Sequence, residues 1–475
     1  MNKKVKNQLL FQTLKTLSTK DWLGFLDFVR QPTFNKNERV LRFLNFLDQS
    51  YPNFNTNEQA IWQAIEGDKP LDQQQLKDVR SLLFRLLKNY LAIKQLMQSE
   101  TAMDLSILTE LRERGLSKGY KNHFQNLKKR INNQPSDLLF SYQLEKESAL
   151  FNDQLELRQT GDNLQTLVDR LDAFYAFEKL KWTCEMLNRS RIINKSYNFT
   201  LFEELLNTLN AAHLQLPIIQ SYHQVYKTLK EPDEEQHFVL LKDMLTKFNN
   251  DFPKEEATSL YRYAQNYCIG KINKGESHYM RELFDIYRQL LDSNLMLENG
   301  QLAHPHYKNI VTVGLRLGEN KWTLDFIENY RSYIESQIRD NAYHFNLATW
   351  YYETHDYDQV VDLLNRVEFT DVYYQISSRY ILLKVYYDLD ELGPLQYLII
   401  SFDRYIRRNK DISTQNRQGI LHFLQALKRM IKIKEWKSHK STDFIDNQKE
   451  KTHLLLTTKK PMVNLPWLMQ KWKEL

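Results

Sequence analysis

The stretch His344-Phe-Asn-Leu-Ala-Thr-Trp-Tyr351, followed by Val360 and Leu364, decides the fold. His344, Leu347, Ala348 and Tyr351 stand three and four residues apart, the spacing that lines up side chains on one helical face. Asp356 follows the end of that helix and is expected to cap a second one. Ile310, Val313, Gly314 and Leu317 occupy the same places 34 residues earlier, with Phe326 and Tyr330 behind them. Arg379, Leu382, Leu383 and Tyr386 occupy them 35 residues later, with Leu395 and Ile399 following. A looser copy, Leu260, Tyr263, Ala264 and Tyr267, precedes the Ile310 set by 50 residues and has a longer turn around Lys274-Gly275. Small residues such as Gly314 and Ala348 let two helices of a hairpin approach. A hairpin cannot bury its apolar faces alone, so several must stack.

The spacing matches the tetratricopeptide pattern, W-x2-L-G-x2-Y in a first helix and A-x3-F in a second, repeated about every 34 residues. His344 and Arg379 replace the usual Trp, and Val360 and Leu395 replace the small Ala. Three copies in near-constant register predict an all-α chain with a TPR-like α-solenoid of antiparallel helical hairpins. The segments Leu260-Tyr-Arg-Tyr-Ala-Gln-Asn-Tyr-Cys-Ile-Gly-Lys-Ile-Asn-Lys-Gly-Glu276, Phe345-Asn-Leu-Ala348, Val367-Glu-Phe-Thr-Asp371 and Phe34-Asn-Lys-Asn37 carry a further likeness. Over nearly the whole chain the protein resembles a family of uncharacterised tetratricopeptide-like proteins from Bacteroidota. That resemblance implies a helical-hairpin fold and brings no activity or catalytic residue with it.

Composition agrees with helices. Glycine (12) and proline (11) together are about 5% of the 475 residues, less than half of average usage, which favours long helices with short loops. Such a length exceeds one ordinary core and fits several domains or a repeat array. The 27 Tyr and 25 Phe are expected to fill gaps between stacked hairpins. Cys184 and Cys268 form no C-x-x-C pair, which suggests neither a disulfide framework nor a zinc site. The apolar run Leu9-Leu10-Phe11 is too short for a signal-peptide core, and the run around Leu398 to Ser401 is far short of a membrane span. The expected location is the cytoplasm, with no membrane partner.

Residues 1 to 135 are expected to form an N-terminal helical bundle. Ser18 and Asp21 have capping-box spacing ahead of Trp22, Phe25, Leu26 and Val29. Pro32 ends that helix, Asn37 caps the next, and Pro52 closes it. Thr56 and Glu58 open a third that stops at Gly67, and Asp72 starts a longer one through Gln98. A hinge is expected at Asn132-Asn133-Gln134-Pro135, with Ser136 as a cap. Two long helices then flank Gly161. Residues 136 to 436 are assigned to the repeat array. Residues 437 to 475 form a basic tail in which Ser441 to Lys460 reads as a flexible connection. A final helix carrying Trp467, Leu468 and Trp472 is expected to dock on the last repeat.

Recognisable chemistry is missing. The chain has no H-E-x-x-H, G-x-S-x-G or G-x-G-x-x-G, and Gly270-Lys271 has Gln265 and Ile272 where a phosphate loop needs a glycine and a hydroxyl. His304 and His306 flank Pro305 without a third ligand nearby, so a solvent-facing turn is the simpler reading. His344 and His355 lie near Asp356 and Asp358, where capping explains the acids better than acid–base catalysis. Glu203-Glu204, Glu234-Glu235 and Glu255-Glu256 are sequence neighbours that diverge on a helix, and the last two pairs suit helix starts. No cofactor, metal or catalytic residue is expected.

Charge is uneven. The net charge is +6, yet from Arg404 to Leu475 there are 17 Lys/Arg against 6 Asp/Glu, a local +11. Arg407 and Arg408 close one helix; Lys428, Arg429, Lys432, Trp436 and Lys437 follow on the next. Such a stripe can neutralise phosphates, with Trp436 stacked on a base. It also suits the polar outer face and helix C-termini of a last hairpin. The leading expectation is a non-catalytic scaffold that holds a protein or peptide partner on its repeat surface. The alternative is a nucleic-acid-associated protein that uses these basic residues as an anionic-partner site.

Overall fold

The computed structural model describes the chain except residues 1–2, 55, 132–134, 156–161, 194, 249–250, 368–371 and 411; for 3–8, 136, 191–193 and 372–373 it describes only the backbone. The expected hinge residues 132–134, the Ser136 cap, Gly161 and most of the Val367–Asp371 segment lie outside what is described. Among the described residues the chain is all-α apart from a two-residue β ladder pairing Leu297–Glu298 with Gln301–Leu302. No helix there is long and apolar enough to cross a membrane.

The fold divides into two compact units, residues 1–178 and 179–475. In the first, α1 (Lys3–Lys15), α2 (Thr19–Arg30), α3 (Glu38–Asp48), α4 (Glu58–Glu66) and α5 (Gln73–Gln98) enclose one core. Trp22 and Trp62 are its largest buried side chains; the Trp22 indole N–H donates to Asp48 Oδ1 at 2.8 Å and its ring stacks on Tyr51. The caps explain the boundaries. Ser18 Oγ accepts from the Asp21 amide, Asn37 from Arg39 and Val40, and Asp72 from Gln74 and Gln75. The cap of α4 is Asn57 rather than the expected Thr56, because the Asn57 side-chain oxygen Oδ1 accepts from the amides of Gln59 and Ala60. Gly67, at φ 71°, ends that helix.

A second core joins α6 (Glu100–Glu113), α7 (Ser117–Lys128) and α8 (Pro135–Gln154), with Tyr120 stacked on Phe151 at 3.9 Å. A boundary at residue 135 therefore separates α8 from helices on which it packs. The division between units falls inside α9 (Leu164–Ile193).

The second unit continues with α10 (Phe202–Thr208), α11 (Ala211–Leu214), α12 (Pro217–Lys230), α13 (Glu235–Lys247), α14 (Lys254–Asn273), α15 (Tyr279–Asp292), α16 (His304–Arg316) and α17 (Asn320–Tyr330). It closes with α18 (Arg339–Glu353), α19 (Tyr357–Asn365), α20 (Val372–Asp388), α21 (Leu392–Arg408), α22 (Thr414–Trp436), α23 (Thr442–Thr458) and α24 (Leu465–Glu474). Six successive pairs, α12–α13 through α22–α23, pack as antiparallel hairpins. The first helices also pack on each other, α12 on α14, α16 on α18 and α18 on α20. The stacked helical hairpins expected from the sequence are thus present, each quoted set on a first helix. Close approach is visible at Gly314, where an added Cβ would lie 2.3 Å from Thr323 Oγ1 of α17.

The expected flexible connection at 441–460 is instead the helix α23. Ile445, Thr452, Leu455 and Leu456 are buried. They recur at helical spacing, and this sparse stripe is what a polar composition concealed.

Candidate interaction surfaces

The basic residues near the C-terminus form two clusters. Because α21 and α22 run antiparallel, the Arg417 guanidinium donates to the Asn409 carbonyl (2.8 Å), while Gln396 Nε2 donates to Glu435 Oε1 (2.6 Å). Arg407 and Arg408 therefore sit beside the start of α22, and Lys428 to Lys437 near its end. At 1.5 Å per residue, Arg417 and Lys432 are about 22 Å apart along the helix. A hairpin reverses direction, so sequence neighbours at its two ends do not make one stripe.

Several of the cations are already engaged. Arg407 Nε is 2.7 Å from Asp403 Oδ2. Arg429 donates to the Lys451 carbonyl at 3.1 Å and ties α22 to α23. Trp436 is half-buried, packs edge-on against Phe444 at 5.3 Å and so helps to anchor α23 on α22. Arg408, Lys428, Lys432 and Lys437 are exposed and have no carboxylate at ion-pair distance among the described residues.

The chain's own helices lie against the first helices at both ends of the second unit. The last part of α9 touches α12 and α14. Lys181 pairs with Glu256, Glu256 Oε2 accepts from the Tyr222 hydroxyl at 2.6 Å, and Asn266 Nδ2 donates to Asn188 Oδ1 at 3.1 Å. Burial, then the Glu256 charge, pushes the Tyr222 hydroxyl pKa well above the usual phenol range. At the other end α24 lies on α20, α22 and α23. Leu468 is fully buried, Trp467 meets Tyr387 edge-on at 5.4 Å, and Lys471 Nζ is 2.9 Å from Asp388 Oδ1. Trp472 donates to the Lys449 carbonyl at 3.4 Å. The expected docking of this helix is what the structure has. Its exposed residues, Pro466, Gln470, Lys473 and Glu474, leave a mainly polar outer surface.

Between α9, α12 and α14 lies a cleft of about 660 Å³, lined by Asn188, Leu229, Pro232, Asn266, Ile269, Gly270 and Asn273 with their neighbours. Asn266 and Asn273 are two turns apart and share a face of α14. Gly270 sits between them, and a Cβ there would meet nothing within 4 Å. Ile269 is 38% exposed beside it. At the end of the cleft Lys271 is held by Asp233 and Glu276. In the sequence, Gly270-Lys271 stands out only as an incomplete phosphate loop. The spacing of the asparagines was the available signal, but the contribution of Asn188 comes from a helix 78 residues away from Asn266.

The histidines and cysteines have structural surroundings. His304 Nδ1 lies 3.3 Å from the Tyr374 hydroxyl, and His355 Nδ1 is 3.0 Å from that of Tyr357. Asp356 occupies the N-cap of α19 but makes no side-chain capping bond, so the expected capping bond is not formed. Both cysteines are buried thiols, and burial pushes their pKa up. Among the described residues no group of three or more His, Cys, Asp or Glu is arranged to hold a metal ion.

His223 and His344 are half-buried, and desolvation holds both imidazoles below their usual pKa. The folded state then binds protons less readily than the unfolded chain. Stability is full above the ordinary imidazole pKa of about 6.5 and falls as pH drops through that range. Thermal melts at about pH 8 and about pH 5.5 are expected to show this loss, and His223→Gln with His344→Gln is expected to shrink it. An equal loss in the double variant would place the acid sensitivity elsewhere.

Comparisons of the chain with protein-family models, with curated proteins and with solved structures found no match.

Proposed function

We propose that the second unit is a non-catalytic scaffold that binds an extended segment of a partner protein along its first helices. The cleft of α9, α12 and α14 carries this reading. A side-chain amide offers both a donor and an acceptor, which is what a peptide backbone needs from a surface. Asn266 and Asn273 supply two such groups a fixed distance apart, Gly270 leaves room for a chain to approach, and Ile269 offers an apolar contact. Stacked helical hairpins present extended surfaces of this kind, although architecture alone assigns no partner.

The test is capture of partners from source-cell lysate by the tagged full chain and by its Gly270→Trp variant, at two salt concentrations with and without nuclease. The added indole enters open space, so the fold is expected to stay intact while the cleft fills. A protein that survives high salt and nuclease and is lost from the variant supports the reading. Partners unaffected by the variant overturn it.

The second reading is nucleic-acid association through Lys428, Lys432 and Lys437, which are exposed and lack a carboxylate partner among the described residues. It requires partners that disappear with nuclease or salt and with reversal of those three lysines to Glu.

A further inference from the structure

Tyr397, Ile400, Arg404 and Arg408 follow one another at three- and four-residue steps along α21 and so form one stripe. The opposite face of the helix, Leu395, Ile399, Phe402 and Ile406, is buried. The stripe itself is open: Tyr397 is 77% exposed and Ile400 55%. Single exposed apolar residues are ordinary, but two large ones a turn apart make a continuous patch.

The basic half is equally unsatisfied. Arg404 and Arg408 have no carboxylate at ion-pair distance among the described residues, whereas Arg407, off the stripe, is held by Asp403. Lys410 adds a further cation, and Ser401, Tyr405 and Asn409 complete a shallow depression beside the two arginines. The helix dipole favours cations in the last turn, which accounts for Arg407 and Arg408. It accounts less well for Arg404, one turn further in, and not at all for the apolar half.

We propose that this stripe docks an acidic amphipathic helix of a partner protein. The partner's apolar side chains rest on Tyr397 and Ile400, and carboxylates one and two turns further on meet Arg404 and Arg408. Guanidinium groups a turn apart match carboxylates at the same helical spacing and bind them in bidentate fashion. A nucleic acid is the poorer fit, because Ile400 offers no stacking face and would sit against phosphates. The surface belongs to the second helix of a hairpin and does not depend on the cleft of α12 and α14.

The experiment is selection of a displayed library of random helical peptides against the full-length protein, with affinities of the enriched peptides measured by fluorescence anisotropy. A single-stranded oligothymidylate is titrated in parallel. Enriched peptides are expected to carry an apolar pair followed by Asp or Glu at one-turn spacing. Their binding is expected to weaken about tenfold or more in Arg404→Glu with Arg408→Glu, and likewise in Tyr397→Ala with Ile400→Ala. All four positions are at the surface, and unchanged thermal melts confirm that the variants fold. Lys321→Glu with Lys459→Glu, at exposed lysines outside both basic clusters, is expected to leave binding unchanged. Enrichment without an acidic pattern, equal binding to the stripe variants, or oligothymidylate binding that only the arginine reversals abolish would overturn the proposal.

Discussion

Replacing Glu256 by alanine is expected to destabilise the second unit by about 3 kcal/mol. Glu256 accepts the hydroxyl of Tyr222, which has no solvent exposure, and pairs with Lys181 from α9. The first loss is the larger. A buried hydroxyl left without its acceptor costs about 1–3 kcal/mol. Lys181 is 26% exposed, so water compensates part of its lost partner. Glu256→Gln keeps an acceptor for Tyr222 and is expected to cost about 1 kcal/mol. Chemical denaturation followed by tryptophan fluorescence measures both. Because the chain has two compact units, the transition of the second must be resolved from that of the first before a free energy is extracted. Equal, small losses in both variants would mean that the carboxylate does not hold α9 on α12 and α14.

Leu468→Ala is expected to have a similar effect at the other end, about 3 kcal/mol. Leu468 is fully buried in the core shared by α20, α22, α23 and α24, and truncation leaves a cavity that surrounding helices fill only in part. The neighbouring contacts of α24 are partial. Trp467 and Trp472 are half-buried, and the Lys471–Asp388 pair is its ionic anchor to α20. The variant is therefore expected to release α24 before the rest unfolds. Hydrogen exchange should show faster exchange in Leu465–Glu474, followed by the faces of α20 and α22 beneath it. Leu468→Met, which conserves volume, is expected to cost less than about 1.5 kcal/mol. If the alanine and methionine variants behaved alike, side-chain volume at this position would not be what holds the helix.

The helices, and most of their boundaries, were legible because they are set by short-range chemistry. Asn37 and Asp72 cap from their own side chains, and Gly67 stops a helix at positive φ, so each is fixed by neighbours within four residues. The hairpins were legible for the same reason: apolar residues recur at helical spacing and short loops join one helix to the next. Where two cappers stood side by side, as at Thr56 and Asn57, pattern alone could not choose between them. The helix α23 was missed because its buried stripe is short of apolar residues and Thr452 stands in it.

What the sequence by itself determined, then, is the helical class, the hairpins and the apolar C-terminal helix that docks. Each rests on periodicity and on capping, which act within a turn or two of the chain. Only the tertiary structure decided which charges remain available. Glu256 reads in sequence as a helix-start acid, yet it receives Tyr222 and Lys181 from two other helices. Arg407 and Lys428 read as one basic end, yet the antiparallel turn between α21 and α22 sets them apart and assigns Arg407 to Asp403. The amides of the α12–α14 cleft likewise converge from helices far apart in sequence. Coulombic and hydrogen-bonded partners are chosen by proximity in space, and sequence spacing carries that information only within a helix.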